Sequence, residues 1–463
     1  MPQTPHRPTA LHSLELHNFR SFDHLHITLH PRLTVLVARN GVGKTAVLDA
    51  CALAWRPFVD TMCGATTSTG FVRADVRRTR AAAGQMVDQL PLSLTASGTV
   101  GGEALSWRRA LLTARARTRS AESARLRDQA VALLGQLRTS ADGAATAPPE
   151  LPLLAFYGTG RLWSTGRTTA RRPPVTQRFD TPADAYLDCL DPRSTFHAFE
   201  AWFERISREA QRRAADGSPA APRATTYIEA VRAATSPLLA PTGWGHLDWS
   251  FISQCIVATH PVAGELPVAQ LSDGVRNTLG LVADLAHRCV RLNPHHGAAA
   301  IARTSGVVMI DEVDMHLHPG WQQQVVPALL DAFPRLQFVV STHSPHVLST
   351  VPRECIRVLE PADPGTEGPT LVRTPALQTQ GVPSSDVLAS VMHVDPAPDI
   401  PIRKTLADYR ALIQDRSHDS PEGLALRAAL DAHYGLQHPE ILDLDRLIRF
   451  RRALAPRPDG RPA

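Results

Sequence analysis

The chain is 463 residues long, enough for one large domain with insertions or for two or three domains, and 43% of it is hydrophobic, as in an ordinary globular protein. Its formal charge of +5 permits a nucleic-acid partner without requiring one. No apolar run reaches the length that spans a bilayer, and Met1 to Thr9 is Pro-rich without an apolar signal core, so a soluble cytoplasmic protein with no membrane association is expected.

The six cysteines are scattered without a CxxC pair and read as buried free thiols rather than as disulfides or zinc ligands. Arginine replaces lysine almost everywhere, which has the look of genomic base bias and makes scattered arginines weak pointers to function. Lys44 and Lys404 are the only lysines, and Lys44 stands where a phosphate-binding lysine is needed.

In chain order, residues 11–22 and 24–40 read as two strands of alternating apolar residues, with a continuous apolar run at Leu33 to Val37. The second strand enters ARNGVGKTAVLDA, the context of a phosphate loop. Gly41 and Gly43 let successive backbone N–H groups curl around a phosphate, and the helix that follows adds its positive N-terminus. Lys44 would reach the β and γ phosphates, and Thr45 would offer its hydroxyl to Mg²⁺. The first glycine of the GxxxxGK[ST] pattern is Ala38 here, a small residue that still fits; the alternative is a chance turn.

Pro91 to Leu111 reads as a hairpin turning at Gly101-Gly102. From Thr113 to Arg138 a basic helix is expected, more in keeping with a solvated face than with a phosphate-backbone contact. Thr139 to Glu150 and Ala214 to Ala224 read as linkers. Between them lie a strand, LPLLAFYGTGRLW, and a helix whose Phe196, Phe199, Trp202, Phe203 and Ile206 form an apolar stripe suited to a core or a subunit contact. HLDWSFISQCIVATH reads as one strand. LSDG then opens a helix with Leu279, Val282, Leu285 and Cys289 facing inward, and on composition alone Ser272 is its N-cap.

The stretch from Gly306 to Thr350 organises the rest. A buried strand, Val307 to Ile310, delivers Asp311 and Glu312 to a sheet edge, and a second, Gln337 to Val340, ends in Ser341, Thr342 and His343. Such strand ends can place an acid pair beside a histidine, as in P-loop ATPases, where the first acid helps hold Mg²⁺ and the second can polarise the attacking water; the alternative is an acidic loop beside a solvated histidine. Residues 354–360 and 368–374 add two strands that close the sheet, and after DPAPDIPI the chain turns helical, with an apolar face wanting its own core or a partner.

In order, NFR, GVGKT, LSDG, MIDEVD, HLHP and STHSP resemble the motif series of ABC-type ATPase heads, the group that includes RecF and SMC proteins. IDEVDMHLHP, YGTGRLW and LSDGVRNTLGLVADLAHR resemble more specifically the AAA-family ATPases of anti-phage defence, the Septu ATPase PtuA and its retron-associated relatives. The likeness covers roughly residues 11–360, and the C-terminal helices only loosely. It implies an α/β P-loop ABC-ATPase-like head, with a mixed central sheet, an antiparallel β lobe, helical insertions and a C-terminal helical appendage. The divisions it suggests are 1–112, 113–245, 246–375 and 376–463.

By position, Asn40, Gly41, Gly43, Lys44 and Thr45 resemble the Walker A contacts, and Arg20 the phosphate-proximal arginine. Asp311 resembles the Walker B magnesium ligand, Glu312 the catalytic carboxylate and His343 the switch histidine. Ser272 and Gly274 resemble the signature motif, which in this class completes the site of an opposite subunit, and His316 to Pro319 the D-loop. Neither Gln85 nor Gln89 has the strand context of a Q-loop glutamine. The implied protein binds and hydrolyses ATP with Mg²⁺, forms a homodimer or an assembly of dimers, and controls an effector nuclease of the HNH type. The chain itself carries no nuclease pattern, and DNA or RNA remains open as a ligand. The alternative is a RecF/SMC-like DNA-repair ATPase, against which stands the lack of sustained heptads between GVGKT and LSDG. A transporter nucleotide subunit and a nucleotide-gated scaffold fit less well.

Overall fold

The computed structural model describes residues 8–65, 69–81, 84–141, 147–161, 181–192, 196–216, 222–361 and 369–453. They form two compact units, Met1–Met392 and His393–Ala463. The strands are β1 (Ala10–Phe19), β2 (Phe22–Thr28), β3 (Leu33–Ala38), β4 (Arg78–Arg80), β5 (Met86–Asp88), β6 (Leu92–Val100), β7 (Glu103–Leu111), β8 (Leu153–Tyr157), β9 (Gly245–Ser250), β10 (Cys255–His260), β11 (Gly264–Pro267), β12 (Gly306–Ile310), β13 (Leu336–Ser341), β14 (Ile356–Pro361) and β15 (Thr370–Arg373). The helices are α1 (Lys44–Met62), α2 (Ala124–Ala141), α3 (His197–Ala215), α4 (Pro222–Leu239), α5 (Asp273–Leu292), α6 (Ala300–Arg303), α7 (Pro319–Ala332), α8 (Pro345–Leu348), α9 (Ser384–Ser390), α10 (Pro401–Gln414), α11 (Pro421–Tyr434) and α12 (Pro439–Ala453).

A six-stranded sheet, ordered β15-β14-β3-β13-β12-β8, is the frame of the first unit. β14, β3, β13, β12 and β8 run parallel and only β15 is antiparallel. Every residue of β3, β8, β12 and β13 is buried, which is why these strands read as continuous apolar runs instead of alternating ones. Their C-terminal ends gather at one edge, where ligands of open α/β sheets bind. An antiparallel lobe, β2-β1-β6-β7, packs beside α1. The Trp107 indole N–H donates to the Ala54 carbonyl at 2.8 Å, and the fully buried Arg109 donates to the Leu53 carbonyl at 2.6 Å, so the lobe is fastened to α1 by hydrogen bonds as well as by apolar contact. The mixed sheet, antiparallel lobe and phosphate-loop connection are the architecture of a P-loop ABC-type ATPase head, as expected.

Three local expectations are corrected. Residues 24–40 form two strands in different sheets, because the His30 ring accepts the N–H groups of Arg32 and Leu33 in a turn around Pro31, which has no N–H for a ladder. Residues 246–260 form a hairpin, bent where Gln254 adopts φ +51° and its amide donates to the Phe251 carbonyl at 2.6 Å. The basic helix begins only at Ala124, since Ala110 and Arg119 exchange both backbone hydrogen bonds and hold the preceding residues against the hairpin. The aromatic stripe of α3 is core, with Phe199, Trp202, Phe203 and Ile206 buried. Parts of both expected linkers, and the loop after β14, lie outside the described residues.

The second unit has its own core of Leu406, Tyr409, Ile413, Leu430, Ile441 and Leu444 from α10, α11 and α12. No helix among the described residues is long and apolar enough to cross a membrane.

Candidate nucleotide site

β3 runs directly into the glycine loop and α1. Gly41 and Gly43 have φ of +83° and +119°, and a Cβ on Gly43 would stand 2.5 Å from the Phe22 ring and 2.7 Å from the Ser21 hydroxyl oxygen. Only glycine meets both demands. Gly43 is the N-cap of α1, which leaves the first N–H groups of a 19-residue helix facing the loop. Lys44 is 7% exposed and its ammonium donates to the Ala38 carbonyl at 3.0 Å. Burial lowers its pKa, opposed by the negative field of Asp311, Glu312 and Asp314. Asn40 and Thr45 are exposed at the mouth of the loop.

The acid pair arrives from β12, between β8 and β13. The Asp311 N–H donates to the Tyr157 carbonyl at the end of β8, at 2.8 Å. Its carboxylate, 3% exposed, accepts the Thr45 hydroxyl at 2.8 Å on one oxygen and the Ser341 hydroxyl on the other. Glu312 adopts φ +48°, a conformation that costs a non-glycine residue about 1–2 kcal/mol, and its N–H donates to the Ser341 oxygen at 2.8 Å. Thr342 donates to Asp314 at 2.6 Å and Ser344 to Gln322 at 2.6 Å, which fixes both neighbours of the half-buried His343.

Arg20 lies in the β1–β2 turn, whose Ser21 and Phe22 abut Gly43. Its guanidinium pairs with Asp75 at 3.0 Å and with Asp49 on α1. Burial raises the Asp49 pKa and Arg20 opposes that rise. Ser272 is the exposed N-cap of α5, with no side-chain cap bond. Gly274 is pressed against the His316 carbonyl, so α5 starts on the turn that follows the acid pair.

The structure therefore brings the loop, Lys44, Thr45, Asp311, Glu312 and the Arg20 turn to one edge, seats Gly274 against the 316–317 turn and leaves Ser272 exposed at the start of α5. Gln89 donates to Thr79 at 2.7 Å beside the β4–β5 ribbon, and Gln85 is exposed next to it. Sequence reasoning passed over Ser341 as a site residue, although a serine closing the strand beside an acid pair was the available signal. Gly158 and Thr159, in the YGTGRLW stretch, follow β8 at the same edge.

Hard oxygen donors on Thr45 and Asp311, 2.8 Å apart beside a lysine and a helix N-terminus, fit a magnesium-bound phosphate.

Residues 13–172 match the family model described as "AAA domain", and residues 253–349 the one described as "AAA domain, putative AbiEii toxin, Type IV TA system". Among curated proteins, the "Retron Ec83 probable ATPase" of Escherichia coli is 35% identical over 187 residues, 40% of this chain and 33% of that protein. "Septu protein PtuA" of Bacillus mycoides (strain KBAB4) is 40% identical over 75 residues, 16% of this chain and 10% of that protein. The matched region thus spans about a third or less of these relatives. A solved SMC head domain from Thermotoga maritima superposes with a TM-score of 0.41 at 16% identity, covering 79% of this chain and 99% of that one. The chain resembles AAA-family ATPases of the retron and Septu kind.

Proposed function

We propose that this chain binds and hydrolyses Mg-ATP as the sensor or regulator of a bacterial anti-phage defence system, dimerising on ATP and controlling a partner effector nuclease of the HNH type. The observation that carries the nucleotide chemistry is the Thr45–Asp311 contact at 2.8 Å, with Lys44 preceding Thr45 in the chain, Glu312 following Asp311, and Lys44 in the negative field of both acids. The names of the retron and Septu relatives support the defence setting.

Gly41, Gly43 and the start of α1 bind the phosphates through backbone N–H groups. Lys44 exchanges the Ala38 carbonyl for phosphate oxygens, and Thr45 and Asp311 hold Mg²⁺, which neutralises phosphate charge when bound. Glu312 orients and polarises the attacking water, and His343 contacts the γ-phosphate. Arg20, anchored by Asp49 and Asp75, braces the turn against the loop. Ser272 and Gly274 serve a second copy of the chain, so ATP joins two heads with two-fold symmetry.

The test is co-purification from the native operon with and without ATP, together with the mass of Glu312→Gln in Mg-ATP. A doubled mass and a co-eluting HNH-type nuclease are expected. Salt-sensitive DNA binding that stimulates turnover, with no protein partner, would favour the DNA-repair reading instead.

A further inference from the structure

The β1–β2 hairpin carries a cluster that the nucleotide chemistry does not use. His17 and His24 face each other across the ladder, and Glu15 lies two residues from His17 on the same outward face. The Glu15 Oε1 atom is 3.3 Å from His17 Nε2 and 3.2 Å from His24 Nε2. The three ligand atoms all lie within 4.8 Å of one another, and the imidazoles stack at 4.5 Å between centroids.

Zinc bound at 2.0–2.1 Å by tetrahedral nitrogen and oxygen ligands sets those ligands about 3.3–3.4 Å apart. Both Glu–His separations already match such an edge. The strand ladder holds the backbones in place, so ordering the ligands costs little. Two imidazoles and one carboxylate are the donor set of an open zinc site, with water completing the coordination. Surface hydrogen bonding between Glu15 and the rings is the competing account, and it predicts no metal affinity.

We propose that Glu15, His17 and His24 form a zinc site that staples β1 to β2. The next pair along the ladder is Phe19–Phe22, and the Phe22 ring is the group against which Gly43 closes. Zinc bound here would therefore stiffen the turn that bears on the phosphate loop.

The test uses the full chain without a histidine tag, stripped of metal and kept in excess Mg²⁺ so that the hard oxygen donors of Thr45 and Asp311 are occupied. Zn²⁺ is titrated by calorimetry, and hydrogen exchange is followed for the amides of residues 16–22. One ion per chain with micromolar or tighter affinity and slowed exchange in that turn are expected. His17→Ala/His24→Ala should remove that binding, and Glu15→Gln, which keeps both rings, should weaken it by about 10-fold or more. Either variant is outward-facing, and circular dichroism checks that it folds. Zinc binding unchanged in both variants, or no saturable binding in the parent chain, would overturn the proposal.

Discussion

The Ser341 hydroxyl oxygen accepts the Glu312 N–H at 2.8 Å while its proton goes to the Asp311 carboxylate. One side chain thus sets the carboxylate face offered by Asp311 and holds Glu312 at its positive φ. Ser341→Ala removes both of these hydrogen bonds, one of them to a buried carboxylate, at a cost of about 1–3 kcal/mol. The expected result is a lower melting temperature and an ATP turnover reduced by about 10-fold or more, read by phosphate release.

Gly274→Ala drives a methyl group into the His316 carbonyl, a backbone atom that cannot swing aside. The start of α5 and the turn after Glu312 must separate, at about 1–3 kcal/mol. Ser272→Ala removes only an exposed hydroxyl that caps nothing within its own chain. If that serine acts on a second copy, Ser272→Ala keeps the parent's melting temperature and loses ATP-driven dimerisation, measured side by side by calorimetry and light scattering.

His287 provides a pH test. It is buried against Trp202, with ring centroids 4.5 Å apart, and sits beside Asp284 at 3.5 Å. Burial lowers its pKa from 6.5 to about 4, Asp284 opposing. For Asp284 itself burial acts to raise the pKa, but Arg288 and His287 outweigh it and hold the carboxyl well below the usual range. Below pH 6.5 the unfolded chain takes up a proton on this histidine that the folded chain does not, so stability falls as pH drops towards 4. Between pH 6.5 and 5 the loss is about 1.5 kcal/mol. Denaturant titrations at the two pH values should show it in the parent chain and a smaller loss in His287→Asn.

What the sequence disclosed and what it hid divide along physical lines. Lys44, Thr45, Asp311 and Glu312 were legible from patterns local to a few residues: Asp311 and Glu312 follow directly on the apolar strand β12, and Lys44 and Thr45 open α1 after the short glycine loop that leaves the apolar strand β3. The Arg20 clamp was not, since Asp49 and Asp75 reach it from 29 and 55 residues away through the packing of α1 and a loop. The break at Pro31 escaped because alternating β2 and continuously apolar β3 both carry strand patterns, and only the tertiary structure assigns them to different sheets. Gly274 was read as a glycine at a helix start, whereas its close approach to His316 depends on a turn 42 residues further on.

The most direct test of the account is ATP turnover in three proteins: the parent chain, Glu312→Gln and Lys44→Ala, each also titrated with nucleotide. The parent should hydrolyse Mg-ATP. Glu312→Gln should bind it with affinity similar to the parent's and turn it over about 100-fold more slowly, and Lys44→Ala should lose most of its binding. Turnover in Glu312→Gln equal to that of the parent, or undiminished binding in Lys44→Ala, would contradict the assignment of this edge as the ATP site.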